Sequence, residues 1–168
     1  MTRPYNILFL CTGNSARSIL AQALVGTLSH GRFIGYSAGA KPVGYVHPMA
    51  LDLIKHIGYP IELLRSKSWD EYGGKGVIQM DFIITLCDWA HGEKCPHWPG
   101  HPASAHWGFA NPAAVDGGEE AMLHAFKQVE MGLRNRIELL LDLPLEKLDH
   151  MQVKERLQNI HHRIKFSE

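Results

Sequence analysis

The segment Cys11-Thr12-Gly13-Asn14-Ser15-Ala16-Arg17-Ser18 places a thiol, small side chains and a guanidinium within eight residues. Each type suits one chemical task. A thiolate is a strong nucleophile near neutral pH. Gly13, Ser15 and Ala16 leave the backbone uncluttered, so that successive N–H groups can curl round a tetrahedral anion. Arg17 adds a planar fork able to hold two oxygens together. Such positive surroundings favour a thiolate over a thiol, and Ser18 is placed to donate a hydrogen bond to the sulfur. On residue types alone, Cys11 is the candidate nucleophile and Ser18 its tuning partner. Thr12, Gly13, Asn14, Ser15, Ala16 and Arg17 form the candidate oxyanion-binding set. The competing reading is a core cysteine followed by an ordinary Gly-Asn-Ser turn.

The flanking elements decide between these. Tyr5 to Leu10 is a nearly continuous apolar run, the pattern of a central strand buried on both faces. After the loop, Ile19, Leu20, Ala23, Leu24, Thr27 and Leu28 recur at helical spacing and stop at His30-Gly31. Phe33 to Ala38 reads as a second strand, so the opening is a βαβ unit with parallel strands and a right-handed crossover. Ligands of open parallel sheets bind beyond the carboxyl ends of the strands. First-turn N–H groups of a helix lack intrahelical partners and suit an oxyanion. Cys11 stands where both conditions meet.

Further along, Pro48 to His56 is a helix closed by Gly58, and Ser66 to Glu71 reads as a helix start. Asp81 to Cys87 repeats the first strand's design, an apolar run ending in cysteine. Asp88 to Gly118 is rich in Pro, His, Trp and Gly, a long loop region around one short strand near Ala105-His106-Trp107. Loops this long in a compact domain are usually functional or disordered. Glu119 to Leu143 is the strongest helix, with Met122, Phe126, Val129, Leu133, Ile137 and Leu140 as its core stripe, and Leu145 to Ile164 gives a final helix. Trp69 and Trp107 are expected in the core, and Trp89 and Trp98 over the loop. Residues 1–168 thus read as a single α/β domain, a four-stranded parallel sheet in a three-layer α/β/α arrangement.

Composition narrows the function. The 168 residues carry 17 Lys+Arg and 17 Asp+Glu, a net charge of zero. That balance lacks the basic excess by which nucleic-acid binders neutralise phosphates. No apolar stretch reaches the ~18 residues of a membrane span, and the N-terminus lacks a signal-peptide layout. A cytoplasmic location is expected, with neither nucleic acid nor membrane as partner. Three cysteines, Cys11, Cys87 and Cys95, are an odd number for a secreted disulfide framework; in a reducing compartment they are buried, metal-binding or reactive. Taken singly, Cys87 could be a buried strand-end residue and Cys95 an incidental loop thiol.

Cys11 to Ser18 resembles the phosphate-binding loop of the low-molecular-weight protein tyrosine phosphatases and of the arsenate reductases built on the same fold. Two further stretches resemble the reductases: Ile84-Thr85-Leu86-Cys87-Asp88 followed by Cys95-Pro96 is similar to their redox cysteine pair, and Ala105 to Ala113 to their His-Trp-Gly segment. The likeness runs from about Asn6 to about Leu148, with the motifs in the family's order. It implies a catalytic set of Cys11, Arg17, Ser18, Cys87 and Cys95 and reduction of arsenate to arsenite. Cys11 would attack arsenate held by the loop, Cys87 would attack the Cys11 sulfur, and Cys95 would move the disulfide to Cys87–Cys95. Each exchange needs access and an attacking thiolate. Thioredoxin, or alternatively glutaredoxin, would supply electrons, with no tightly bound cofactor. Phosphate and sulfate would compete with arsenate.

Two rival readings compete with this one. A phosphatase of this family uses an acid from an Asp-Pro motif to protonate its leaving group; here that position is Asn111-Pro112 and an amide cannot serve, which also leaves Asp116 or water to protonate the oxygens leaving arsenic. A zinc module could use Cys87, His91, Cys95, His97, His101 and His106, but their spacing is not that of paired ligands. Some relatives carry a potassium ion that steadies the residue at Asn14. They place acids where this chain has Gln22 and Lys67, so no bound metal is expected and Lys67 is the substitute for its charge.

Overall fold

The computed structural model describes residues 3–74, 76–89, 92–93 and 103–167. Four strands, β1 (Tyr5–Cys11), β2 (Phe33–Gly39), β3 (Phe82–Thr85) and β4 (Ala103–His106), form a sheet of order β2-β1-β3-β4. Every neighbouring pair is parallel. Four helices accompany it: α1 (Arg17–Leu28), α2 (Pro48–Ile57), α3 (Gly118–Leu141) and α4 (His150–Ser167). This is the expected α/β class.

β1 is central, which explains its unbroken apolar run. Its alternate residues serve two cores. Ile7, Phe9 and Cys11 join the larger one, built with α1, α2, α3 and α4. Leu8 and Leu10 join a smaller one with Ala38 and Ile83, covered by Tyr36, Trp69, Tyr72 and Met80. The cover over that second face includes a 3₁₀ turn, Trp69–Tyr72, where the sequence suggested a helix start. Gly73 and Gly74 follow at once and do not sustain one.

α1 is buried on nearly all sides from Arg17 to Val25 rather than along a stripe. Gly58 ends α2 in the left-handed conformation (φ 93°), with its N–H on the Ile54 carbonyl, a conformation glycine adopts without penalty. In α3, Phe126, Val129, Leu133, Ile137 and Leu140 are buried as their spacing predicts.

Several boundaries differ from the sequence reading, and β3 ends at Thr85, which leaves Cys87 just outside it. β3 starts one residue later, because Asp81 turns its carboxylate to the Asn6 N–H (2.7 Å) and to both guanidinium nitrogens of Arg3 (2.8 Å each). β4 runs from Ala103 to His106, leaving Trp107 outside the strand, fully buried, with Nε1 donating to the Leu157 carbonyl (2.9 Å). The last helical segment splits into a 3₁₀ turn, Leu145–Lys147, and α4. α4 in turn finishes the sheet. Gln158 accepts from the His106 N–H (2.9 Å) and donates to the His106 carbonyl (3.0 Å), as a neighbouring strand would.

Candidate oxyanion and thiol site

The loop between β1 and α1 is shaped by where its carbonyls go. The Cys11 carbonyl accepts from the Ala40 N–H (3.1 Å), Thr12 from Lys41 (2.9 Å), Gly13 from Val43 (3.0 Å) and Ser15 from His47 (2.9 Å). The Ser66 hydroxyl also donates to the Gly13 carbonyl (3.1 Å). With these carbonyls committed to the strand-2 side, the Asn14 N–H turns inward to the Cys11 sulfur, as a nest requires. Ala16, at the start of α1, makes no side-chain cap on the helix's first-turn donors. Asn14 takes φ 48°, a left-handed conformation that asparagine tolerates better than most residues. Gly39, at the end of β2, makes this curve possible: a Cβ there would lie 2.6 Å from the Thr12 carbonyl oxygen and 3.0 Å from the Asn14 nitrogen.

Cys11 is a free thiol, buried at the end of β1. Its sulfur lies 2.9 Å from the Ser18 hydroxyl and accepts from the Asn14 N–H at 3.3 Å. Asn14 also donates through Nδ2 to the Ser18 Oγ (2.7 Å), which leaves the Ser18 proton free to point at sulfur. Asn14 and Ser18 thus flank the thiol, and Ser18 stands where the sequence placed a donor to the sulfur.

Behind Asn14 sits Lys67. Its backbone N–H donates to Asn14 Oδ1 (2.9 Å), and its Nζ reaches the same oxygen (3.4 Å), the Ser37 hydroxyl (3.2 Å) and the Arg65 carbonyl (2.7 Å). The Ser37 hydroxyl donates in turn to Gln22 Oε1 (2.6 Å). The two positions singled out for a cation therefore meet in one buried network, and an ammonium already fills the place beneath Asn14. These residues do not suit a bound potassium ion. Burial, and then the charge of Arg65, push the Lys67 amine down to about 8, against partial support from Glu71 and Cys11. Lys67 is thus charged below that pH and neutral above it. The unfolded chain holds the same proton up to its ordinary value of 10.5, so this group makes the fold more stable as pH rises between about 8 and 10.5. Its effect on anion binding has the opposite sign. Phosphate affinity is expected to fall as pH climbs through about 8, and titration calorimetry should show that inflection vanish in Lys67→Met. At pH 7 the variant should bind roughly three- to tenfold more weakly, the size of one partly screened charge interaction.

Arg17 is almost fully buried and its fork is occupied. Nη1 donates to the Phe109 carbonyl (2.9 Å) and to Glu93 Oε2 (2.6 Å), and Nη2 donates to Glu93 Oε1 (2.9 Å). Burial opposes the guanidinium charge, but Glu93, Cys11 and Asp88 outweigh it and hold its pKa above the usual value. Arg17 in turn holds the Glu93 carboxyl below the ordinary range, against burial and helped by the Asp88 N–H. Glu93 went unnoticed in the sequence, since an acid in a charged loop looks like any solvated one. Phe109 contributes through its backbone, which residue type cannot reveal. Its place follows from the His-Trp-Gly stretch: the Trp107 N–H binds the Thr85 carbonyl (2.8 Å) and the Phe109 N–H binds the Leu86 carbonyl (3.1 Å), extending the β3 pairing toward the site.

Cys87 lies just beyond β3, beside β1, fully buried and disulfide-bonded. The Thr12 hydroxyl lies 3.8 Å from its sulfur, so the loop and Cys87 share one end of the sheet. Cys95 lies outside the described residues, as do Trp98 and four of the six residues of the zinc alternative (His91, Cys95, His97, His101). His106 binds the Thr85 hydroxyl through Nδ1 (2.7 Å) and stacks on the exposed Trp89, ring centroids 3.5 Å apart. Among the described residues, no group of three His, Cys, Asp or Glu is placed to hold a metal ion. Asn111 accepts from the Ala113 N–H (3.0 Å) and caps the 3₁₀ turn Pro112–Ala114; Asp116 is exposed. Among the described residues no helix is long and apolar enough to cross a membrane.

Comparison with known proteins agrees with this geometry. Residues 6–153 match the low molecular weight phosphotyrosine protein phosphatase family. Over 133 residues the chain is 34% identical to the arsenate reductase of Oceanobacillus iheyensis, covering 79% of this chain and 92% of that protein. It is likewise 34% identical to the arsenate reductase of Bacillus subtilis, over 78% of this chain and 91% of the relative. A solved arsenate reductase in its phosphate-binding state has the same fold, with a TM-score of 0.63 and 24% identity over 82% of this chain and 96% of that one. Family match, curated relatives and shared fold coincide on one stretch of sequence, and the chain belongs to the low molecular weight phosphotyrosine protein phosphatase family, alongside its arsenate reductase members.

Proposed function

We propose that this chain reduces arsenate to arsenite. One observation carries the reading: a free Cys11 inside an anion nest stands next to a second cysteine, Cys87, that forms a disulfide at the end of the adjacent strand. Ester hydrolysis needs only the first of these, together with an acid, and the position expected to provide that acid holds Asn111, which serves as a turn cap. Arsenate reduction takes up two electrons, which two thiols supply on becoming a disulfide.

In the proposed cycle Cys11 thiolate attacks As(V), and one arsenic oxygen leaves as water after protonation. Thr12, Gly13, Asn14, Ser15, Ala16 and Arg17 hold the remaining oxygens, and Ser18 hydrogen-bonds the sulfur. Cys87 thiolate then attacks the Cys11 sulfur. The S–As bond breaks, its electron pair passes to arsenic, and As(III) departs as arsenite. Cys95 attacks Cys87, restoring Cys11. The resulting Cys87–Cys95 disulfide is reduced by a thioredoxin-type dithiol, with glutaredoxin the alternative donor. Cys11 free and Cys87 oxidised is the combination that the third step would leave. No tightly bound cofactor is required, phosphate and sulfate compete for the nest, and a reducing cytoplasm suits a thiol cycle. We assign the cycle to a single domain spanning residues 1–168.

NADPH consumption with arsenate, comparing thioredoxin and glutaredoxin systems with hydrolysis of an aryl phosphate, tests the reaction class. Aryl phosphate turnover without arsenate-dependent oxidation would favour the phosphatase instead. Cys95→Ser should release about one arsenite per chain and then stall, as quantified by arsenic speciation; sustained turnover with thioredoxin would remove Cys95 from the relay.

A further inference from the structure

The Glu93 carboxylate is bound as an oxyanion would be. Its two oxygens take both terminal nitrogens of Arg17 (2.6 and 2.9 Å). One of them also accepts from the Thr12 hydroxyl (3.3 Å) and the other from the Asp88 N–H (2.5 Å). Parallel guanidinium–carboxylate bonds of this kind are the strong, orienting sort. Glu93 is anchored a second time, its own N–H donating to the Asp88 carbonyl (3.0 Å), so the carboxylate is held from both ends of a short segment. That segment begins at Cys87, six residues earlier, which is disulfide-bonded in the same structure.

We propose that Glu93 is an affinity-setting residue of the oxyanion site: its carboxylate occupies the Arg17 fork when Cys87 is oxidised and must leave before a tetrahedral oxyanion can use that fork. The proposal rests on the reading of the loop as an oxyanion site and adds a residue to it. The physical basis is direct competition. The terminal Nη1–Nη2 edge of Arg17, which Glu93 holds, cannot be shared in bidentate fashion with a second anion. An oxyanion entering the oxidised chain gains the fork only by breaking a formed, largely buried ion pair and leaving the carboxylate to find other donors. Oxidised enzyme, which cannot complete a reduction, is thereby kept from holding substrate, while reduction of Cys87 frees the segment and releases the fork.

Inorganic phosphate is the probe, because its binding needs no electron transfer. Its dissociation constant, measured calorimetrically on the full chain, should be about tenfold weaker for the Cys87-oxidised form than for the reduced form. Glu93→Gln should tighten phosphate binding to the oxidised form by about tenfold and abolish the difference between redox forms. Asp88→Asn is the control, because it removes a charge that also acts on Arg17 without vacating the fork; it should change affinity by less than about twofold. An equal gain in Glu93→Gln and Asp88→Asn would reduce the effect to general repulsion and overturn the proposal. So would an unchanged or weakened affinity in Glu93→Gln. Glu93→Asp, which keeps the charge on a shorter arm, should fall between wild type and Gln, and a Gln-like value would also count against general repulsion. If wild type reduces arsenate while Glu93→Gln leaves phosphate binding unchanged, only the competition fails. If phosphate binding tightens as expected but no arsenate is reduced, only the assigned reaction fails.

Discussion

Cys11→Ser is expected to eliminate arsenite formation, even the single equivalent that enzyme without an external reductant would release. The loss should reach about four orders of magnitude or more, in keeping with removal of a catalytic nucleophile. Two separate deficits add. A serine hydroxyl stays protonated at neutral pH, so the attack on arsenic lacks its nucleophile. The oxygen also cannot be taken up by Cys87 as a disulfide, so even a formed ester could not pass its electrons on. The fold should survive, since the substituted hydroxymethyl group is close in size to the thiol it replaces beside Ser18 and the Asn14 N–H. Phosphate binding therefore separates chemistry from structure: it should persist within a few-fold in the variant. A burst of about one arsenite per chain from Cys11→Ser would show that a different thiol opens the reaction.

Arg17→Lys is the second large expected loss, although it conserves charge. An ammonium is a point donor and cannot span two oxygens of one anion in a plane. The guanidinium here also reaches back to the Phe109 carbonyl, which fixes its plane (2.9 Å); a lysine would satisfy one of these contacts at a time. A fall of about a hundred- to a thousandfold in kcat/KM for arsenate is expected, the usual cost of removing a positioned donor from a developing anion. Phosphate affinity should fall with it. Retention of arsenate kcat/KM within about threefold would mean that the backbone amides alone orient the substrate and that Arg17 serves mainly to pair Glu93.

The setting of Cys11 was legible in the sequence because it depends on local order. An apolar run, small residues, Arg17-Ser18 and an apolar helix dictate strand, loop and helix in one short stretch, and the structure has them at Tyr5–Cys11 and Arg17–Leu28. The parallel pairing of Phe33–Gly39 followed from the same unit, and the α3 stripe from its spacing. What stayed hidden depends on distant segments. Gly39 reads as an ordinary strand-end glycine until the loop carbonyl of Thr12 is seen against it. Glu93 looks like a loop acid until Arg17, 76 positions away, is found in its grasp. Lys67 was legible as a substitute charge, but its shared partner Ser37, and through it Gln22, could be seen only in three dimensions. The short strand β4 lies earlier than its expected place because the composition around His106 and Trp107 draws attention to the aromatic residues, whereas the indole in fact plugs the space under α4 through Leu157.

The Gln158 side chain on His106 has an implication for how chains keep apart. β4 is the last strand of the sheet, and its outer flank would otherwise present bare amides and carbonyls to any neighbouring molecule. A single amide group from α4 answers one residue's pair of them, and the helix body shields what remains. Loss of that terminal helix would therefore do more than trim the molecule: it would leave a sticky seam along which copies could zip together into aggregates, starting at the same end of the strands that carries the thiols.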